Sequence, residues 1–413
     1  MAVSFAQMTT TFLRQPTIVH GPVTQQLSDV LIVDGVITAI GESAVASLAG
    51  TDADITIDLT GHLLLPAAVE PHAHLDKAFL AERVENRTGD LLGAVDAMIE
   101  LSGQISRDDI IERAERGARL MAANGYVAVR THADTTEHDG VKNVEALVEV
   151  RRRVADVIDV EIVVLAGHPV VGPAGANHRA LLRDALAAGA DLVGGCPHLE
   201  SVGSVEAATD VFLEIAAEAG VGIDLHTDET LDPHVMGLEY LARQVLAGFS
   251  HRATASHCVS LGQRNAAEQQ RIAELVAAAG IGVVTLPHTN LWLGGRNQQP
   301  VPRGLTAIDA LRAAGVTVAA GADNLQDPFN PMGRACPFET AALMVLTAHD
   351  LPPVAWASVS TDARHVLGLP AGGIMVGALA NLLAVPGDSL RGAIAEGPGG
   401  RRVIRAGREV VAH

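Results

Sequence analysis

Two histidines one residue apart, His72 and His74, sit in the stretch Pro71-His72-Ala73-His74-Leu75-Asp76-Lys77, directly after an apolar run, Leu63 to Glu70, that reads as a buried strand. Side chains on a strand alternate with period two, so both imidazoles face one side and can offer nitrogens to a single cation. Groups of the same kind recur at the ends of later strand-like runs, as His226-Thr227-Asp228-Glu229, His257 and Asp323. Singly each has a plainer reading: a core histidine, a helix cap, a turn aspartate. Gathered at one rim they make a metal site. Neutral imidazoles with one carboxylate suit zinc or ferrous iron, and three or four protein ligands leave a position for water. Such a water loses its proton near neutral pH and becomes a nucleophile. Glu229, three residues past His226, is the candidate proton carrier beside it.

The elements that must position these groups follow from the apolar pattern. Between Leu63 and Leu369 strand-like runs alternate with amphipathic helical ones. After the first strand come Val127–Thr131, Glu161–Leu165, Asp191–Gly195, Gly222–Leu225, Ala253–Ser256, Gly282–Leu286 and Val316–Ala320. Helical runs such as Asp90–Leu101, Arg107–Asn124, Val141–Val157 and Val205–Ala219 separate them. Eight strands joined by helical crossovers predict a (β/α)8 TIM barrel, whose functional groups collect at the carboxyl ends of the strands. A doubly wound sheet is the runner-up, disfavoured because no Gly-X-Gly-X-X-Gly turn opens the first unit. Residues 1–62 and 370–413 are short-stranded, with Asp34-Gly35 as a type I′ hairpin signal. The two ends are expected to form one small β-sandwich domain, leaving 63–369 as the barrel.

With 413 residues, 48% of them apolar, the chain can fill a large core. Its 29 basic against 48 acidic residues give a net charge of −19, which argues against nucleic acid or an anionic membrane as partner. Three scattered cysteines, Cys196, Cys258 and Cys336, imply no disulfide framework and a reducing compartment. Met1 to Pro16 lacks the pattern of a secretory signal, and no apolar run reaches membrane-spanning length. A cytoplasmic protein is expected.

The motifs Pro71–Lys77, His226–Glu229, Ser256-His257 and Gly321-Ala322-Asp323-Asn324, with Asp327-Pro328-Phe329, resemble the amidohydrolase superfamily. Within it they resemble the cytosine deaminase-like branch, which includes the N-isopropylammelide amidohydrolases of triazine breakdown. Arg130-Thr131-His132-Ala133-Asp134 and Gly195-Cys196-Pro197-His198-Leu199-Glu200 extend the likeness to most of the chain. The resemblance implies one divalent ion, Zn2+ or Fe2+, held by His72, His74, His226 and Asp323. It makes Glu229 the proton carrier, His257 the residue that holds and polarises the water, and Asp323 a second acceptor for the water's proton. Relatives with two metals bridge them through a lysine ending strand four. Gly194, Gly195 and Cys196 stand there instead, which implies a mononuclear site. His198 is left as a structural, supporting or substrate-contacting residue.

Cytosine deaminases carry a glutamine after strand three and an aspartate beside the metal aspartate, whereas this chain has Ala166-Gly167-His168-Pro169 and Asn324. The expected substrate is therefore a small nitrogen heterocycle, with cytosine a weaker candidate than a related ring, read by some of His168, Asn324, Lys77, Trp292, Arg296 and Phe329. The leading function is a metal-dependent aminohydrolase acting on a C–N bond of that ring. Cyclic amide hydrolysis, release of an N-alkyl amine and a non-catalytic metal-binding homologue are the alternatives. The unrelated zinc deaminases of nucleic acids are excluded for want of their His-X-Glu and Pro-Cys-X-X-Cys pattern. Relatives of this kind imply an assembly of identical subunits.

Overall fold

The computed structural model describes residues 8–20, 24–48 and 52–410. Met1–Gln7 and Val411, on which parts of the expectations above fall, lie outside the described residues. The central sheet has eight parallel strands: β8 (Ala68–Ala73), β9 (Tyr126–Thr135), β10 (Asp159–Ala166), β11 (Leu192–Gly194), β12 (Ile223–Thr227), β13 (Ala253–His257), β14 (Gly282–Thr285) and β15 (Val318–Ala320). They neighbour one another in sequence order, with helices between them. A parallel bridge between Ala73 and Asp323 brings the last strand's extension back to the first, where the amide of Asp323 donates to the carbonyl of His72 at 3.1 Å. The result is a TIM barrel. Its strands are buried almost throughout, as in β9, where nine of ten positions are inaccessible and the run is close to continuously apolar or internally bonded. The helix Arg107–Asn124 shows how the crossovers are cut to length. Ser106 accepts from the amide of Asp109 at its start, and Gly125, at φ 109°, turns the chain at its end and delivers it into β9.

The other strands come from the two ends of the chain. One sheet holds β1 (Thr10–Arg14), β4 (Val30–Val33), β5 (Val36–Ile40) and β6 (Ile55–Asp58). A second holds β2 (Thr17–His20), β3 (Thr24–Leu27), β7 (His62–Pro66), β16 (Leu382–Pro386), β17 (Arg402–Arg405) and β18 (Arg408–Val410). Asp34 and Gly35 both have positive φ, 48° and 79°, as a type I′ turn requires. Leu13, Ile32, Ile37 and Ile57 of the first sheet and Ile18, Leu64, Leu382 and Ile404 of the second share one buried cluster.

The run Leu63–Glu70 is divided rather than continuous. His62–Pro66 pairs antiparallel with β16, while Ala68–Ala73 is the first barrel strand. Ala67, whose amide donates to the carbonyl of Asn381 at 3.1 Å, is the link where the chain leaves one sheet for the other. The last barrel strand is also shorter than its apolar run, because the amide of Val283 bonds the carbonyl of Thr317 and the ladder is complete only from Val318.

The end of β11 is stripped of side chains for a steric reason. A Cβ on Gly194 would lie 2.6 Å from Val163 Cγ1 and 2.8 Å from the carbonyl oxygen of Val164, and one on Gly195 would lie 2.2 Å from the ring of Phe212. Gly195 also accepts the amide of His226 at 3.0 Å, so this tight contact helps set where β12 stands. Gly195→Ala should therefore cost about 1–3 kcal/mol through overpacking, read as a lowered midpoint in urea or thermal unfolding; an unchanged midpoint would show that Phe212 yields freely.

Candidate active site

Five side chains from four strand ends meet at one point. His72 lies on β8 and His74 just beyond it, His226 on β12, His257 at the last position of β13, and Asp323 past β15. His257 and Asp323 have positive φ, 69° and 63°, as does Asp228 at 51°. Non-glycine residues hold such angles only where the surroundings enforce them. At His257 and Asp323 the side chains line the cavity at the barrel mouth, whereas Asp228 accepts from the amides of Gly237 and Leu238, both at 2.9 Å.

The donor atoms converge closely. His226 Nε2 is 3.2 Å from both His72 Nε2 and His74 Nε2, and Asp323 Oδ1 is 3.2 Å from His74 Nε2 and 3.7 Å from His72 Nε2. Ligands about 2.1 Å from a zinc-sized ion at tetrahedral angles lie roughly 3.4 Å apart, so the set has the spacing of a coordination shell. Burial, reinforced for His72 and His226 by the other imidazoles, holds all three histidines well below the usual histidine range, so each presents a lone pair at neutral pH. Neither carboxylate oxygen of Asp323 has a hydrogen-bond partner among the described residues, although both are buried. A buried carboxylate without donors is costly, and a cation at the centre of the set supplies what it lacks.

Beside this cluster stand Glu229 and His257. Glu229 Oε1 is 3.4 Å from His257 Nδ1, and the amide nitrogen of Asn290 donates to His257 Nδ1 at 2.9 Å and approaches Glu229 Oε1 at 3.4 Å. With Nδ1 accepting, the proton of the neutral His257 ring sits on Nε2, which has no partner among the described residues. Burial pushes His257 down to about 4, and burial with the Asp323 charge pushes Glu229 well above the ordinary glutamate value. His198 donates from Nδ1 to the carbonyl of His226 at 3.1 Å and thereby braces the backbone there.

The cluster opens into a cavity of ≈ 200 Å³, below the roughly 300–1,000 Å³ of pockets for drug-sized ligands. Its polar end is lined by His74, Lys77, Asp134, His168, Glu229, His257, Asp323, Asn324 and Phe329. Its far wall is apolar, made by Leu91, Val95 and Met98 of the helix Leu91–Leu101 together with Leu165 and Leu199. Asn324 is held by its neighbours: its amide nitrogen donates to Asp327 Oδ2 at 2.8 Å, and its oxygen accepts from Thr289 Oγ1 at 3.3 Å. Burial alone would lower the Lys77 ammonium, but the carboxylates of Asp134 and Asp76 reverse this and raise it. Phe329 lies 6.0 Å from the same ammonium.

Two of the expected substrate contacts lie elsewhere. The guanidinium of Arg296 stacks 4.4 Å from the Trp292 ring, donates to the Trp292 carbonyl at 3.0 Å and bonds the carbonyl of Gly89. Trp292 is 39% exposed, and Arg296 lines an adjoining groove with Asn290 and Glu229 instead of the cavity itself. Together they tie the segment after β14 to the loop after β8. Sequence reading passed over Asp224, whose only signal is its place two residues before His226 and so on the same side of β12.

Residues 82–411 match the family model Amidohydro_3, described as the amidohydrolase family. The chain belongs to the amidohydrolase family. Among its amidohydrolase relatives, a pterin deaminase of Rhizobium rhizogenes is 32% identical over 401 residues, covering 94% of this chain and 90% of the relative. An N-isopropylammelide isopropyl amidohydrolase of a Pseudomonas species is 26% identical, covering 89% and 90%. A crystal structure of 5-methylcytosine deaminase from Klebsiella pneumoniae, liganded with phosphonocytosine, superposes with a TM-score of 0.85 at 27% identity, over 97% of this chain and 98% of that one.

Asp134→Ala should leave the Lys77 ammonium buried without its closest counter-charge and destabilise the fold by about 3 kcal/mol in urea titration. Adding Lys77→Met should recover much of the loss, and a failure to recover would locate the cost elsewhere than in the unpaired ammonium.

Proposed function

We propose that this amidohydrolase hydrolyses a C–N bond of a small nitrogen heterocycle, deaminating an amino-substituted ring with release of ammonia. The observation that carries the reading is the convergence of three imidazole Nε2 atoms and Asp323 at the end of a cavity that also receives Glu229 and His257. His72, His74, His226 and Asp323 would hold one divalent ion, zinc or ferrous iron. When bound it supplies a Lewis acid that acidifies water and polarises the ring. A single ion suits the end of β11, where there is no space for a bridging side chain.

The remaining steps belong to the protein's own groups. Water oxygen bonds to the ring carbon bearing the amino group, Glu229 receives a water proton and passes it on, and the C–N bond breaks as the nitrogen leaves as ammonia. The raised proton affinity of Glu229 suits both halves of that transfer. Neutral His257 directs Nε2–H at the attacking oxygen, while Asn290 keeps its ring in that tautomer. Asp323 offers a second acceptor for the water's proton.

The relatives act, by their names, on pterin, on 5-methylcytosine and on N-isopropylammelide. A pterin-like or related aminopyrimidine ring is the first choice, with His168, Asn324 and Lys77 at the polar end to read its edge and Phe329 beside it. The apolar wall of Leu91, Val95 and Met98 favours a second reading, release of an alkylamine from an N-alkylated ring whose substituent lies there.

The test is protein reloaded with one equivalent of zinc or ferrous iron, offered pterins, aminopyrimidines, aminopurines and N-alkylaminotriazines, with ammonia and amines measured separately. Ammonia from at least one ring is expected. Glu229→Gln should lower kcat about 100- to 10,000-fold while bound metal stays at one per chain. Ring opening of a cyclic amide with no ammonia or amine from any candidate would overturn the deaminase reading.

A further inference from the structure

We propose that Arg130, Asp224 and Ser256 are positioning residues that lock His72 with its proton on Nδ1, leaving the Nε2 lone pair for the cation; the inference rests on the metal-site reading above. The four residues form a continuous polar chain through the barrel interior, and all are 0% exposed. Arg130, on β9, donates from Nη1 to Asp224 Oδ2 at 2.9 Å and from Nε to Glu161 Oε2 at 2.7 Å. Ser256 Oγ donates to Asp224 Oδ1 at 2.8 Å, and His72 Nδ1 lies 2.9 Å from Ser256 Oγ.

The direction of each bond follows from the first. A guanidinium is always charged and only donates, so it stabilises Asp224 as a carboxylate, which only accepts. Ser256 has one proton, which goes to Asp224, so its oxygen must accept from His72. The imidazole proton is thereby placed on Nδ1, and Nε2 faces His226 and Asp323 with its lone pair. A barrel layer is ordinarily filled with apolar side chains, and a buried ion pair is a poor substitute for them in stability alone. Orienting a ligand is work that an apolar residue cannot do.

Asp224→Asn tests the direction. Arg130 would claim the new amide oxygen, turning the amide nitrogen toward Ser256 as a donor. Ser256 must then give its proton to His72 Nδ1, which moves the ring proton to Nε2 and blocks the lone pair. Ser256→Ala removes the relay without imposing the wrong tautomer. Zinc affinity is measured by chelator competition on folded protein, independently of turnover. Expected are a loss of about 100-fold for Asp224→Asn and about tenfold for Ser256→Ala, with the double variant no worse than Ser256→Ala alone, because the introduced amide then has no hydroxyl through which to act on His72.

Unchanged affinity in both single variants, or losses that multiply in the double variant, would overturn the relay. Should Asp224→Asn not fold, Ser256→Ala decides with Ser256→Thr: a loss restored by the retained hydroxyl supports the relay, and no loss refutes it. Wild-type protein that binds no zinc would sink the metal reading and this inference together. Wild-type protein that binds zinc yet deaminates nothing would sink only the proposed function, leaving the affinity cycle to judge the relay.

Discussion

Lone pairs do not gather by attraction. Three imidazole nitrogens and a carboxylate oxygen held 3.2–3.7 Å apart in a buried barrel mouth repel one another unless positive charge lies between them. Much of the local structure maintains this arrangement against its own preference. The strand ends carry left-handed backbone at His257 and Asp323, burial keeps the imidazoles neutral, and His198 braces the backbone of His226. The strain is affordable because rigid parallel strands, buried along nearly their whole length, hold each donor from behind.

The cavity around that centre is built on a second logic. Its polar end is already internally bonded: Asn324 between Asp327 and Thr289, Lys77 between Asp134 and Asp76. Groups fixed in this way present a set pattern of donors and acceptors, and a ring that fails to match it leaves buried partners unpaired, which discriminates far more sharply than shape alone. The apolar wall contributed by Leu91, Val95 and Met98 makes no such demand. Apolar contact discriminates size only weakly, so the two parts of the cavity differ in how sharply they can sort what enters.

How far the chain announced this arrangement differs from residue to residue. The period-two placement of His72 and His74 and the recurrence of imidazoles and carboxylates after strand-like runs are local patterns, and local patterns survive folding. The barrel was legible for the same reason, since eight apolar runs separated by helical ones leave few ways to close. The division at Pro66–Ala67 was not, because two strands of different sheets, joined by a single residue, read as one apolar run. The placing of Trp292 and Arg296 outside the cavity lining was not legible either, because loop residues take their direction from contacts that spacing does not show, here each other and the distant Gly89. The role of Asp224 and Ser256 was not legible, because what joins them is a hydrogen-bond chain across four strands, and their places beside His226 and His257 say nothing of that connection.

The bridge between Ala73 and Asp323 has a wider meaning. The barrel is a loop of strands whose clasp is made by backbone atoms of two residues whose side chains also converge at its mouth, His72 and Asp323. The seam that shuts the ring and the cluster of donors therefore share the same short stretches of chain, so a substitution that displaces this backbone disturbs closure and site together.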